Sequence, residues 1–93
     1  MMYLLFYRYG ENALERRAPH RPAHLELATE YHDDGGLVLA GAYADPLNGA
    51  LLVFKSRDAA EAFAATDPYV SSGLVTEWHI REWNVVIGDE LVS

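Results

Sequence analysis

The first strand-forming segment carries large side chains on both of its faces, and this feature limits the folds open to the chain. Residues 2–9 are rich in tyrosine, leucine and phenylalanine, which favour strands. Side chains alternate across a strand, so Leu4, Phe6 and Arg8 share one face. The other face carries four large residues, which are Tyr3, Leu5, Tyr7 and Tyr9. We therefore expect a strand that is covered on both sides.

A helix is predicted after the polar, irregular residues 10–19. It begins near Pro22, because proline suits the first helical turn, and it ends at Gly35-Gly36. One face of this helix carries His24, Leu27, Ala28 and Tyr31 at helical spacing.

The rest of the chain predicts a hairpin, a second helix and a last strand. Residues 37–44 and 50–55 are apolar and flank a turn cluster at 45–49. Ser56 is placed to cap a helix over 57–66. Residues 74–86 form the last strand, and the tail to Ser93 is expected to be a short extra strand or an arm.

This order of elements, β-α-β-β-α-β, predicts an α+β fold of the ferredoxin-like type. Four antiparallel strands would carry two helices on one face. The other face would be bare although the strands are apolar on both faces, and soluble monomers rarely expose large apolar patches. We expect the bare faces of two copies to pack together, which gives a homodimeric α+β barrel.

Length and composition exclude several classes of protein. The 93 residues form one domain, 1–93, and the formal charge of −7 makes nucleic acid and anionic lipid poor partners. The absence of cysteine excludes disulfides, thiol catalysis and thiolate zinc sites. No apolar run approaches the about 20 residues of a membrane span, so no membrane partner is expected. The apolar start lacks a basic leader, and a cytoplasmic protein is the default expectation.

His24 is the first candidate for a site residue. It would lie in the first turn of the first helix, where the helix dipole disfavours imidazolium and a nearby carboxylate would favour it. Such opposing effects suit a histidine to acid–base work near neutral pH. The alternative is a core histidine that bonds a backbone carbonyl.

Asp67 is the second candidate. Asp followed by Pro is the usual cap and first residue of a helical turn, here predicted over Tyr69–Ser72 and ended by Gly73. Capping alone would account for Asp67. Both roles are compatible, because a carboxylate has lone pairs for each.

The sequence resembles the YCII-related domain family. The resemblance rests on three motifs in order: Arg-Pro-Ala-His-Leu at 21–25, Gly41 at the end of the second strand, and Asp-Pro-Tyr-Val at 67–70 with Gly73. It implies a ferredoxin-like subunit, an α+β barrel dimer and an active site that pairs His24 with Asp67. It also implies a relation to muconolactone-isomerase-like proteins and to a dehalogenase of a chlorinated aromatic product. One departure is Ala42, where many members have proline.

Further residues are candidates for substrate binding. The strand-one row of Tyr3, Tyr7 and Tyr9, with Arg8 nearby, would suit a pocket for an anionic ring, although simple strand packing is the alternative. Arg21 belongs to the histidine motif, and Tyr69 and Ser71 would add hydroxyl groups. His20 and His24 have a metal-ligand spacing, but proline separates them and no third ligand is evident, so we expect no metal and no cofactor.

Three functions compete at this stage. The first is a cofactor-free small-molecule enzyme of lyase, isomerase or dehalogenase type that uses His24 and Asp67 for proton transfer. The second is a dimer that binds a small, anionic ligand without catalysis, and the third is an accessory interaction domain. Convergence of His24 and Asp67 within about 3–4 Å on an open cavity would favour the enzyme.

Overall fold

The protein has one antiparallel sheet of four strands in a computed structural model that describes residues 1–88. The strands are Met2–Tyr9 (β1), Leu37–Ala42 (β2), Gly49–Phe54 (β3) and Val75–Trp83 (β4), and their order in the sheet is β2-β3-β1-β4. β1 pairs with both β3 and β4, and β2 pairs with β3. This is the ferredoxin-like topology predicted from the sequence.

In the described residues, four helices lie between the strands. They are Ala13–Arg17 (α1), Arg21–Asp33 (α2), Arg57–Thr66 (α3) and Pro68–Ser71 (α4), and a 3₁₀ turn over Ala18–His20 joins α1 to α2. The expectation that residues 10–19 are irregular is therefore wrong. The five residues of α1 are too few to show helical periodicity, yet Ala13 is buried and packs in the core.

Local sequence signals explain where the predicted helices begin and end. The Ser56 hydroxyl accepts a hydrogen bond from the Ala59 N–H at 3.1 Å, so it caps α3 as expected. Gly35 and Gly73 follow α2 and α4 with positive φ angles of 86° and 83°. Gly73 suits this conformation because it has no Cβ, and it lets the chain turn from α4 into β4.

The last strand and the hairpin are shorter than predicted. β2 ends at Ala42 and β4 ends at Trp83, rather than at residues 44 and 86. Residues 84–88 contain no strand. The predicted extra strand or arm falls mainly on residues 89–93, which lie outside the described part of the chain.

The core lies between the sheet and the helices. Its fully buried side chains come from the central strands, from α3 and from the segment after it: Leu5, Leu52, Phe54, Phe63, Asp67, Tyr69 and Leu74. The tyrosine face of β1 points into this core, as the alternation predicts. Within residues 1–88, no helix has the length and apolar character that a membrane span requires.

The other face of the sheet is not covered by helices. β1 and β3 place Leu4, Phe6, Leu51 and Val53 there, as their pairing and alternation require. β4 differs from the expectation of strands that are apolar on both faces. Its residues on this side include the polar Glu77, His79 and Arg81, which pair with β1.

Candidate active site

Asp67 is the buried polar residue around which the candidate site is built. It is 0% exposed and has an extended backbone conformation between α3 and α4, as the following Pro68 favours. Its Oδ1 accepts the Tyr69 N–H at 3.0 Å, which confirms the predicted cap of α4. The carboxylate is thereby fixed at the start of a helical turn.

Two side chains from distant parts of the chain complete the bonding of this carboxylate. The Tyr7 hydroxyl donates to Oδ2 at 2.7 Å, and His24 Nδ1 lies 2.9 Å from Oδ1 and 3.0 Å from Oδ2. Burial, reinforced by the Asp67 charge, raises the pKa of Tyr7 far above its usual value. Tyr7 therefore stays protonated and acts as a permanent donor to Asp67.

The His24 ring is held in one orientation by aromatic neighbours. It stacks on the Tyr69 ring with a centroid distance of 3.8 Å and an interplanar angle of 3°, and Phe63 meets it edge-on at 6.1 Å. An ionised carboxylate only accepts hydrogen bonds, so Nδ1 carries the proton that faces Asp67. In neutral imidazole, Nε2 then keeps its lone pair and is the nitrogen left for a ligand.

A cavity of about 200 Å³ lies beside His24. The polar residues of its wall are Tyr9, Arg17, Arg21, His24 and Tyr69, and small or apolar residues of α2, β2 and β3 complete it. Burial, together with nearby Tyr69, raises the pKa of Tyr9 to about 12, although Arg17 and Arg21 oppose this shift. The cavity therefore combines a histidine, two arginines and two phenol groups.

The structure brings together five of the seven predicted site residues. His24, Arg21 and Tyr69 line the cavity, Asp67 bonds His24, and Tyr7 reaches the site through Asp67 rather than as a wall residue. Ser71 is exposed on α4, where its hydroxyl donates to the Pro68 carbonyl at 3.4 Å. The structure does not bring Ser71 to the cavity.

Arg8 is also not brought to this cavity. It lies on the uncovered face of the sheet, 3.3 Å from Glu77, in an exposed ion pair. There it borders a separate depression of about 510 Å³, beside the stacked rings of Phe6 and His79. Arg8 follows Tyr7 directly, so alternation sends its side chain to the opposite face.

Arg17 was not predicted as a site residue, and Tyr9 was predicted only as one of the row of strand-one tyrosines beside a pocket. Tyr9 stands in the predicted tyrosine row, two residues after Tyr7, and so shares its face. Arg17 precedes Arg21 by four residues, a helical spacing that was hidden while residues 10–19 were taken as irregular. Across residues 1–88, no three histidine, aspartate or glutamate side chains are grouped as a metal site requires.

The comparisons with known proteins identify the family of this chain. The family model described as the YCII-related domain matches residues 1–84. The chain belongs to the YCII-related domain family. Its curated relatives include the protein YciI of Escherichia coli O6:H1 and that of Shigella flexneri. Each is 32% identical over 97 residues, which cover 92% of this chain and 99% of the relative.

A solved structure shows the same fold. It is 5-chloro-2-hydroxyhydroquinone dehydrochlorinase from Burkholderia phenoliruptrix AC1100, in complex with 2,5-dihydroxybenzoquinone. The TM-score is 0.76 at 19% identity, with coverage of 90% of this chain and 94% of that chain. At this identity the likeness establishes the fold, and this YCII-related chain shares it.

Proposed function

We propose that this YCII-related protein is a cofactor-free enzyme of lyase, isomerase or dehalogenase type that acts on a small cyclic or aromatic acid. The observation that carries the proposal is the contact between His24 Nδ1 and the buried Asp67 carboxylate at 2.9 Å beside a cavity that His24 lines. This geometry supports an enzyme over a binding or accessory domain.

The proposed mechanism assigns proton transfer to His24. Nε2 removes a proton from an acidic C–H of the substrate, and the imidazolium that forms is stabilised by Asp67. The same nitrogen then returns the proton to another carbon or to a leaving group. Tyr7 and the Tyr69 N–H hold the carboxylate in place, so Asp67 and Tyr7 are positioning residues. Such acid–base catalysis contributes about 10²–10⁴-fold in rate.

The structural neighbour supports the choice of a small cyclic substrate. That dehydrochlorinase is described as bound to 2,5-dihydroxybenzoquinone. The cavity of about 200 Å³ is smaller than the about 300–1,000 Å³ of sites for drug-sized ligands, so a single small ring is the size we propose here.

We also propose that the working unit is a homodimer formed through the uncovered face of the sheet. Apolar side chains of β1, β2 and β3 lie there, and Leu39 is 58% exposed in the single chain. A second copy would cover this face, as the sequence analysis expects. The cytoplasmic location expected from the sequence stays a prediction.

Solvent-deuterium exchange tests the proposed proton transfer before any net reaction is known. The protein is incubated in D₂O with a panel of small lactones, hydroxyquinones and aromatic acids, and loss of C–H signals is followed by proton NMR. We expect exchange to be at least about 100-fold slower in His24→Gln. His32→Gln, at the other end of α2, is the matched control and should exchange like the wild type.

The proposal fails if His24→Gln exchanges as fast as the wild type. Asp67→Asn is measured beside it, with the melting temperature as a check that the variant folds. A folded Asp67→Asn that keeps full exchange would remove Asp67 from the mechanism.

A further inference from the structure

Two arginines of this acidic chain converge on the His24 cavity. The chain has 7 basic residues against 14 acidic residues, yet Arg17 and Arg21 both line this one cavity. The arginine–carboxylate ion pair found within residues 1–88 is Arg8–Glu77, so neither cavity arginine is neutralised there by a carboxylate. Both arginines of the cavity wall are therefore left without a direct carboxylate partner among the described residues.

The Tyr69 hydroxyl is a second, independent feature of the same wall. Tyr69 is 1% exposed, and its hydroxyl oxygen is buried with no hydrogen-bond partner in residues 1–88. A buried donor without a partner is costly, and such groups are rare in folded proteins. Tyr69 is also among the residues that line the cavity, which makes its hydroxyl the candidate donor to a ligand there.

We propose that Arg17, Arg21 and the Tyr69 hydroxyl form a carboxylate-binding subsite, which makes the substrate a small carboxylic acid. A guanidinium group presents parallel N–H donors that match the two oxygens of a carboxylate, and a phenol adds a further donor. This inference rests on the proposed function because it names the substrate class of the same cavity.

The rest of the wall limits what the carboxylate is attached to. Ala28, Ala40, Ala50 and Leu52 contribute small or apolar surface beside the polar residues. Such a wall favours a compact hydrocarbon part over a second polar group. The substrate then places its carboxylate toward the arginines and its reacting carbon toward His24.

Binding of matched acids and amides tests the subsite without any knowledge of the reaction. Benzoate and propionate are titrated into the protein beside benzamide and propionamide, and binding is followed by the NMR shifts of the tyrosine and histidine rings. We expect each acid to bind at least about tenfold more tightly than its amide, since a charge-assisted pair is lost in the amide.

Single variants then locate the subsite. Arg17→Gln and Arg21→Gln should each weaken acid binding by at least about tenfold, and Tyr69→Phe by about three- to tenfold, with little effect on the amides. Arg57→Gln is the control, because it removes the same charge at a residue that does not line the cavity. Arg57 lies over the Tyr3 ring, 5.6 Å from its centroid. It should bind the acids like the wild type.

The outcomes separate this inference from the proposed function. His24→Gln should keep acid binding. If the wild-type protein binds acids but shows no exchange in D₂O, the carboxylate subsite stands and the proposed enzyme function fails. The subsite is overturned if amides bind as tightly as acids, or if Arg57→Gln weakens binding as much as Arg17→Gln. Absence of acid binding at millimolar concentrations overturns it as well.

Discussion

Asp67 has all the bonding a buried carboxylate requires, and each partner comes from a different element. β1 supplies the Tyr7 hydroxyl, α2 supplies the His24 ring and α4 supplies the Tyr69 N–H. Loss of one donor from a buried charge costs more than the net value of the bond, because the acceptor stays buried without its partner. The same bonds therefore support both the fold and the proposed chemistry.

Tyr7→Phe measures the value of one of these donors. We expect the free energy of unfolding to fall by about 1–3 kcal/mol, because Oδ2 of Asp67 loses the hydroxyl donor. Urea denaturation provides the measurement. Tyr3→Phe is the matched control on the same strand, since Tyr3 is only half-buried and Phe keeps the ring beneath Arg57. Equal losses in both variants would contradict the assigned role of Tyr7.

Tyr9 should lower the stability of the folded protein at alkaline pH. Its folded pKa of about 12 lies above the value of 10.0 that an unfolded tyrosine has. Below pH 10 Tyr9 is protonated in both the folded and the unfolded protein, so the free energy of unfolding keeps its full value there. Between pH 10 and 12 the unfolded state loses the proton first, and stability falls by about 1.4 kcal/mol per pH unit.

Removal of the Tyr9 hydroxyl should remove the part of this dependence that Tyr9 contributes, while the part due to Tyr7, whose pKa is also raised, stays. We expect the wild-type free energy of unfolding to fall more steeply than that of Tyr9→Phe between pH 10 and 12, measured by urea denaturation at each pH. Parallel curves for the two proteins would show that Tyr9 titrates alike in both states.

At the scale of elements, the strands and the two longer helices follow from local patterns in the sequence. The run of strand-forming residues in β1, the Ser56 cap and the Asp67–Pro68 turn are each a signal contained within a few residues, and each is confirmed. The Tyr7–Asp67 bond joins residues 60 positions apart, so it depends on tertiary packing that no local pattern contains. The pairing of His24 with Asp67 came from the family resemblance rather than from spacing.

The prediction of Arg8 as a binding residue conflicts with the alternation of side chains along β1. Alternation puts Arg8 on the face opposite to Tyr7, although both residues were predicted to bind one ligand. The structure keeps that separation, with Arg8 beside Glu77 on the uncovered face. α1 and the place of Arg17 in the cavity wall could not be predicted from the sequence, because the five residues of α1 are too few for a periodic signal.

The pairing of β3 with β1 depends on the absence of a side chain at Gly49. A Cβ there would collide with the Tyr7 carbonyl oxygen, a backbone atom that cannot turn aside, and would press on the Tyr43 ring. We expect Gly49→Ala to lower the free energy of unfolding by about 1–3 kcal/mol, as overpacking does. Thermal or urea denaturation provides the measurement.

Gly41 in the adjacent β2 is the control for this prediction. A Cβ there meets no atom within 4 Å, so Gly41→Ala should change stability little. A Gly49→Ala variant as stable as Gly41→Ala would contradict the close approach of β3 to Tyr7.

At the scale of the whole molecule, the sheet has one covered face and one uncovered face of mixed character. Leu4, Phe6 and Leu51 are only partly buried, and Leu39 is 58% exposed at the edge strand β2. Along β4 the same face is polar and includes His79 and Glu77. A second copy packed on this face would cover the apolar half and would leave the polar strip at its margin, as interfaces with an apolar centre and a polar rim require.

Leu39→Glu tests the dimer with little risk to the fold. Because Leu39 is already exposed in the single chain, a charge there should leave the monomer stable and should repel a second copy. Sedimentation at micromolar concentration should give twice the 10.4 kDa of one chain for the wild type and a monomer for Leu39→Glu. Leu14→Glu on α1, at a residue 65% exposed, is the control and should sediment as a dimer. A wild-type protein that sediments at the monomer mass would refute the dimer. If Leu39→Glu and Leu14→Glu dissociate the dimer equally, the interface does not lie specifically on the uncovered face.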